Sequence, residues 1–119
     1  MAKENAALDK SFDFAIRAVM VYQYLTKERR EYVLSKQLVR CSTSIGANVN
    51  EAQAGQSRND FTAKMAVASK EARESKYWID LLIATDYLSG SDDDIKTLRN
   101  NAAELVKILT SIVKTAQTS

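Results

Sequence analysis

The chain contains no histidine and no proline, and only one cysteine, one tryptophan and three glycines in 119 residues. Each shortage removes a class of answers. Without histidine the commonest general base at neutral pH is missing, and the Glu-x-x-His motif of di-iron bundles cannot be written. A single cysteine excludes an internal disulfide. With no proline, and with glycines isolated at 46, 55 and 90, little interrupts a helix and no Gly-rich phosphate loop exists. No apolar run approaches the roughly 20 residues that span a bilayer, and no signal-peptide pattern opens the chain, so a cytoplasmic protein is expected. Charge of one sign is also scarce. Seventeen Lys/Arg against fifteen Asp/Glu leave +2, far short of the excess carried by a dedicated nucleic-acid binder.

What is present is helical periodicity. A chain of 13.3 kDa with 45% hydrophobic residues is the size of one domain, here taken as residues 1–119. Leu8, Phe12, Ala15, Val19 and Tyr22, widened by Ile16 and Met20, predict a first helix over about 9–26. The five charges of residues 27–31 predict a solvated linker, with Ser35 capping a second helix over about 36–54. That helix buries Leu34, Leu38, Cys41, Ile45, Val49 and Ala52. Gly55 stops it, and Ser57 with Asp60 forms an approximate capping box for a third helix over about 58–88. Phe61, Met65, Ala68, Ala72, Ile79 and Ile83 mark the inner face of this third helix. Ser91 caps a fourth over about 92–117, in which Ile95, Leu98, Ala102, Leu105, Leu109 and Ile112 repeat as a coiled-coil seam. Short connections force neighbouring helices to alternate in direction, so the fold class is all-α, an antiparallel up-down-up-down four-helix bundle.

The second helix carries an unusual polar arc. At about 100° per residue, Gln37, Arg40, Ser44, Asn48 and Glu51 fall within about 80° of one another, beside the apolar stripe and not opposite it. The turn near residue 56 places Arg40 level with Ala72, so Glu71 and Glu74 are its natural partners. Arg40, Ser44, Asn48, Glu51, Glu71 and Glu74 are therefore expected to form a buried structural network that fixes helix register, not a catalytic site. Cys41 lies in the apolar arc and is read as a buried, inert thiol. Glu51, Glu71 and Glu74 could chelate a hard cation in principle, but Arg40 would repel it, so no metal or other cofactor is expected.

These residues resemble a known family. The pattern Gln37-Leu38-x-Arg40-x-x-x-Ser44-Ile45-x-x-Asn48-Val49-x-Glu51, followed by Ser57-x-x-Asp60-Phe61 and the Ala68-x-x-Glu71 helix, is similar to the four-helix-bundle proteins encoded in intervening sequences of bacterial 23S rRNA genes. The run from Lys70 through Trp78 to Leu82 resembles a branch of the same family. The resemblance implies a fold similar to the accessory proteins of diversity-generating retroelements, a cyclic homopentamer, no established catalysis and a proposed role in nucleic-acid binding. Where the family usually has Glu-Gly, this chain has Glu51-Ala52, and Gly55 stands where a basic residue commonly follows; Arg58 is placed to supply that charge.

Two functions remain open, neither enzymatic, and neither calls for a membrane or a small-molecule substrate. Lys27, Arg29, Arg30 and Lys36 cluster near one end of the bundle and are candidate RNA or other nucleic-acid contacts, strengthened if several copies assemble. Alternatively, the surplus of apolar side chains off the expected seams, namely Phe14, Tyr24, Tyr32, Tyr77, Trp78 and Tyr87, suggests a scaffold that presents helix faces to a protein partner. Tyr77 and Trp78 are the candidate subunit interface, and both readings expect a homo-oligomer.

Overall fold

The computed structural model describes residues 2–118 and contains four α-helices: α1 (Ala2–Lys27), α2 (Leu34–Gln53), α3 (Arg58–Ala84) and α4 (Asp93–Thr118). They form a bundle 46 Å long in which each helix packs on its neighbours in chain order and α4 closes against α1. Lys3 reaches Ser111 and Lys10 pairs with Glu104 at 2.7 Å, so α1 and α4 are antiparallel.

The core follows the apolar stripes on three of the helices. All six expected α4 residues are buried, as are Leu38, Cys41, Ile45, Val49 and Ala52 of α2 and Met65, Ala68, Ala72 and Ile79 of α3. α1 departs from expectation. Its buried side is Ala7, Ser11, Phe14, Ala18 and Leu25, while Phe12, Ile16, Val19 and Met20 face outward. The reason is close packing. A Cβ added to Gly46 would stand 3.4 Å from the Ser11 hydroxyl, so α1 approaches α2 through small residues, and the larger apolar stripe is left on the other side. Phe14, expected off the core seam, is fully buried.

The helix ends correct several boundaries. α1 begins at Ala2, not near residue 9, because the alanine-rich start contains no breaker. Ser35 does not cap α2; it lies within the helix and is buried. Glu31 does that work, accepting N–H bonds from Val33 (3.1 Å), Leu34 (2.9 Å) and Ser35 (2.7 Å). A carboxylate at a helix N-terminus satisfies free N–H groups and meets the positive end of the dipole. The linker is thus not uniformly solvated, since Glu31 is buried.

α3 ends at Ala84, not 88. Asp86 takes a left-handed φ of 67°, and the N–H groups of Tyr87 and Leu88 both return to the Leu82 carbonyl, turning Leu88 into the core. Asp92, not Ser91, caps α4, its carboxylate accepting from Asp94 and Ile95. Ser57 caps α3 as expected, accepting from the Asp60 N–H at 3.1 Å.

Candidate interaction surfaces

The polar arc of α2 separates into two parts. Arg40 reaches across to α3, 3.5 Å from Glu71 and 3.5 Å from Glu74, with Gln37 accepting a further bond at 3.3 Å. Its side chain is 55% exposed, so this is a clasp at the bundle surface and not a buried seam. An arginine on the flank of the helix, off the stripe, can lay its stem along the helix and keep its head in water. Of its partners, only Glu71 is buried. Asn48 turns back on its own helix, donating to the carbonyl and hydroxyl oxygens of Ser44 at 2.9 and 3.1 Å, and Glu51 is exposed.

Beneath the clasp, Ser42 donates to Ser75 at 3.1 Å, and the Ser75 hydroxyl lies 3.3 Å from the Cys41 sulfur. Burial is the main influence on this thiol and pushes its pKa up, with the Ser75 bond acting the other way. A buried, protonated thiol is a poor nucleophile. Among the described residues no cluster of three or more His, Cys, Asp or Glu side chains could hold a metal ion.

The four candidate nucleic-acid contacts lie at one end of the bundle, around the turn between α1 and α2, and all are exposed. They are not equivalent. Arg29 is held by the fold: its guanidinium donates to the carbonyls of Asp86 (2.9 Å) and Tyr87 (3.0 Å) and stacks 5.0 Å over the Tyr87 ring, tying the α1–α2 turn to the α3–α4 turn. Lys27, Arg30 and Lys36 make no ion pair or side-chain hydrogen bond among the described residues.

The aromatic residues also divide. Trp78 is half-buried and packs against the core. Tyr77 is exposed and meets Trp78 edge to face at 5.2 Å. The larger apolar exposure was missed in the sequence reading and lies on α1, where Phe12 (65% exposed), Ile16, Val19, Met20 (62%) and Tyr24 line the side away from the core. This face runs into a cavity of about 380 Å³ between the upper turns of α1 and α4. Val21, Leu88, Ile95 and Leu98 lie within it beside Met20 and Tyr24, and Asp92 and Asp94 add acidic groups. A signal was present in the sequence: α1 carries apolar residues on more of its circumference than one core contact covers.

The arrangement offers a surface clasp, a basic end and an exposed apolar face on α1. The description of 23S rRNA-intervening sequence proteins matches residues 3–111. The chain belongs to that family. A 1.70 Å crystal structure of a protein of unknown function from the S23 ribosomal protein family of Bacteroides thetaiotaomicron is similar to it, with 46% sequence identity and a TM-score of 0.87. The match covers 94% of this chain and 98% of that one. No curated protein matches the chain. Membership of the 23S rRNA-intervening sequence family thus accounts for the helix pattern and brings no assigned activity with it. No helix among the described residues is long and apolar enough to cross a membrane.

Proposed function

We propose that this protein is a non-catalytic, self-associating bundle that acts as a scaffold, with the outer face of α1 as its assembly surface. The observation that carries this reading is the second apolar face of α1, opposite the one used by the core. Five large side chains, each with on the order of 100 Å² open, make a patch of roughly 500 Å², at the upper end of what a monomer leaves exposed. A stable interface needs about 800 Å² from each partner. The patch is thus the apolar centre of a contact and requires a second region beside it. Five copies is the number that the family resemblance implies. Sedimentation of the wild-type chain at micromolar concentration should give a mass that is a multiple of 13.3 kDa, and Phe12→Asp or Ile16→Asp should reduce it to the monomer. A wild-type monomer would overturn the reading.

A nucleic-acid role is the second reading, supported by exposed Lys27, Arg30 and Lys36 at one end of the bundle. Phosphate contact by these cations would weaken steeply with salt. Lys27→Glu combined with Lys36→Glu should then remove salt-sensitive RNA retention on a filter while leaving helicity intact. Arg29 is a poor probe, because its substitution also breaks the link between the two turns.

A further inference from the structure

Two charges of opposite sign line the cavity between α1 and α4 without a partner. On α1, Lys3, Lys10 and Arg17 recur every seven residues and so share one side of the helix, the side that meets α4. The first two find acceptors there: Lys3 donates to the Ser111 hydroxyl at 2.6 Å, and Lys10 pairs with Glu104 at 2.7 Å. The same antiparallel register brings Arg17 level with Thr97, which is not an acid and whose hydroxyl donates to the Asp93 carbonyl. Arg17 is half-buried, lines the cavity, and makes no ion pair or hydrogen bond among the described residues. Asp94 lies about one turn higher, level with Met20, and its carboxylate is likewise unpaired. Asp92, the third charged group of the lining, is already used, since its carboxylate accepts the Asp94 and Ile95 N–H groups and faces the positive end of α4. The rest of the wall is largely apolar, with Val21 on α1 opposite Leu88, Ile95 and Leu98.

We propose that this cavity binds a small zwitterion with an apolar side chain, of the kind an aliphatic or aromatic α-amino acid presents. Arg17 takes the ligand carboxylate, Asp94 takes its ammonium group, and the side chain lies against Val21, Ile95 and Leu98. The charges decide the class. A ligand carrying only a cation would face the Arg17 guanidinium, and one carrying only an anion would stand beside two carboxylates. A ligand with both signs on adjacent groups answers Arg17 and Asp94 together, because three residues of helix separate their levels by about 4.5 Å. The size agrees. A volume of about 380 Å³ is near the lower limit of small-molecule pockets, about 300–1,000 Å³, which suits a single amino acid better than a nucleotide. One chain supplies every wall of the cavity, so the inference goes beyond self-association and does not rest on it.

Isothermal titration calorimetry with L-phenylalanine and L-leucine tests the site on two proteins, the wild-type chain and Phe12→Asp, whose substitution lies more than one turn below the cavity. At least one of these amino acids should bind both proteins at one molecule per chain. Its deaminated acid (3-phenylpropionate or 4-methylpentanoate) and its decarboxylated amine (phenethylamine or 3-methylbutylamine) should each bind about tenfold more weakly. Arg17→Gln should erase the preference over the amine and keep the preference over the acid, and Asp94→Asn should do the reverse. Circular dichroism with thermal melting establishes that both variants are folded. A wild-type monomer that binds the amino acid with this pattern would leave the site standing and overturn the assembly reading. Absence of binding by either amino acid at millimolar concentration would overturn the site, as would an acid or amine that binds as tightly as its parent, or binding that neither substitution alters. Binding confined to one of the two proteins would also overturn it: Phe12→Asp alone would mean that a neighbouring copy fills the cavity, and wild type alone would mean that the ligand sits in a contact between copies.

Discussion

Replacing Glu31 tests how the α1–α2 turn is built. Burial works against its charge, but N–H bonds from Leu34, Ser35 and Val33 and the Ser35 side chain outweigh it, so its carboxyl sits below the usual glutamate range. Loss of a helix cap costs about 0.5–2 kcal/mol, and hydrogen bonds to a charged group contribute about 1.5–3 kcal/mol each net of water, less in a truncation that lets water reach the freed N–H groups at the helix end. Three such bonds on one buried carboxylate place Glu31→Ala near 3 kcal/mol of destabilisation, about 8–12 °C in melting temperature for a chain of this length. Glu31→Gln keeps one acceptor oxygen and should lose roughly half as much. The pH dependence has a fixed sign. A carboxylate with a lowered folded-state pKa stabilises above its unfolded pKa, and that contribution disappears as pH falls through the folded value. The gap between wild type and Glu31→Gln in urea denaturation should therefore be widest at pH 7 and narrow on acidification below the ordinary glutamate pKa. The assay must hold protein concentration fixed, because assembly adds concentration-dependent stability. A Glu31→Ala protein that melts within 1 °C of wild type would refute the cap, as would a gap that is the same at pH 7 and pH 3.5.

The two faces of α1 give opposite expectations by urea denaturation: Phe14→Ala should cost about 3–5 kcal/mol, whereas Phe12→Ala should weaken assembly and leave a monomeric background nearly unchanged. Arg40→Ala should cost only about 1 kcal/mol by the same method, since the clasp is more than half exposed and Glu74 can be solvated; a loss above 3 kcal/mol would mean that Glu71 is left as a stranded buried charge. Arg30 has a left-handed φ of 53°, so Arg30→Gly should match or raise the melting temperature of a monomeric background. At the α1–α2 crossing, Gly46→Ala should be neutral or stabilising, because its Cβ meets only ordinary contacts, while Gly46→Leu should cost about 1–3 kcal/mol by overpacking.

Much of the fold was legible because three helices each carry a single apolar stripe. The α4 seam from Ile95 to Ile112 was read residue for residue, and the short turn at Gly55 was enough to bring Glu71 and Glu74 to Arg40. α1 misled because it has two apolar stripes. Periodicity measures how apolar residues repeat and not which repeat faces inward; the choice was made by Ser11 meeting Gly46, a close approach between small residues distant in sequence. Glu31 was hidden by its neighbours. A run of five charges suggests solvent, yet a carboxylate four residues before Ser35 is within reach of the first free N–H groups of α2, and that spacing was the available clue. The cavity was not legible at all, since its lining comes from α1, the α3–α4 turn and α4, which lie far apart in the sequence.

Oxidative footprinting of Met20 tests the central claim most directly, because it reports whether the outer face of α1 is covered in solution. Within a single copy Met20 is 62% exposed and Met65 is fully buried, so Met65 provides an internal standard for protection. With mild peroxide at micromolar protein concentration, Met20 should oxidise nearly as slowly as Met65, and Ile16→Asp should release it to the rate of an open methionine. Rapid oxidation of Met20 in the wild-type protein, unchanged by Ile16→Asp, would show a bare α1 face and contradict the account.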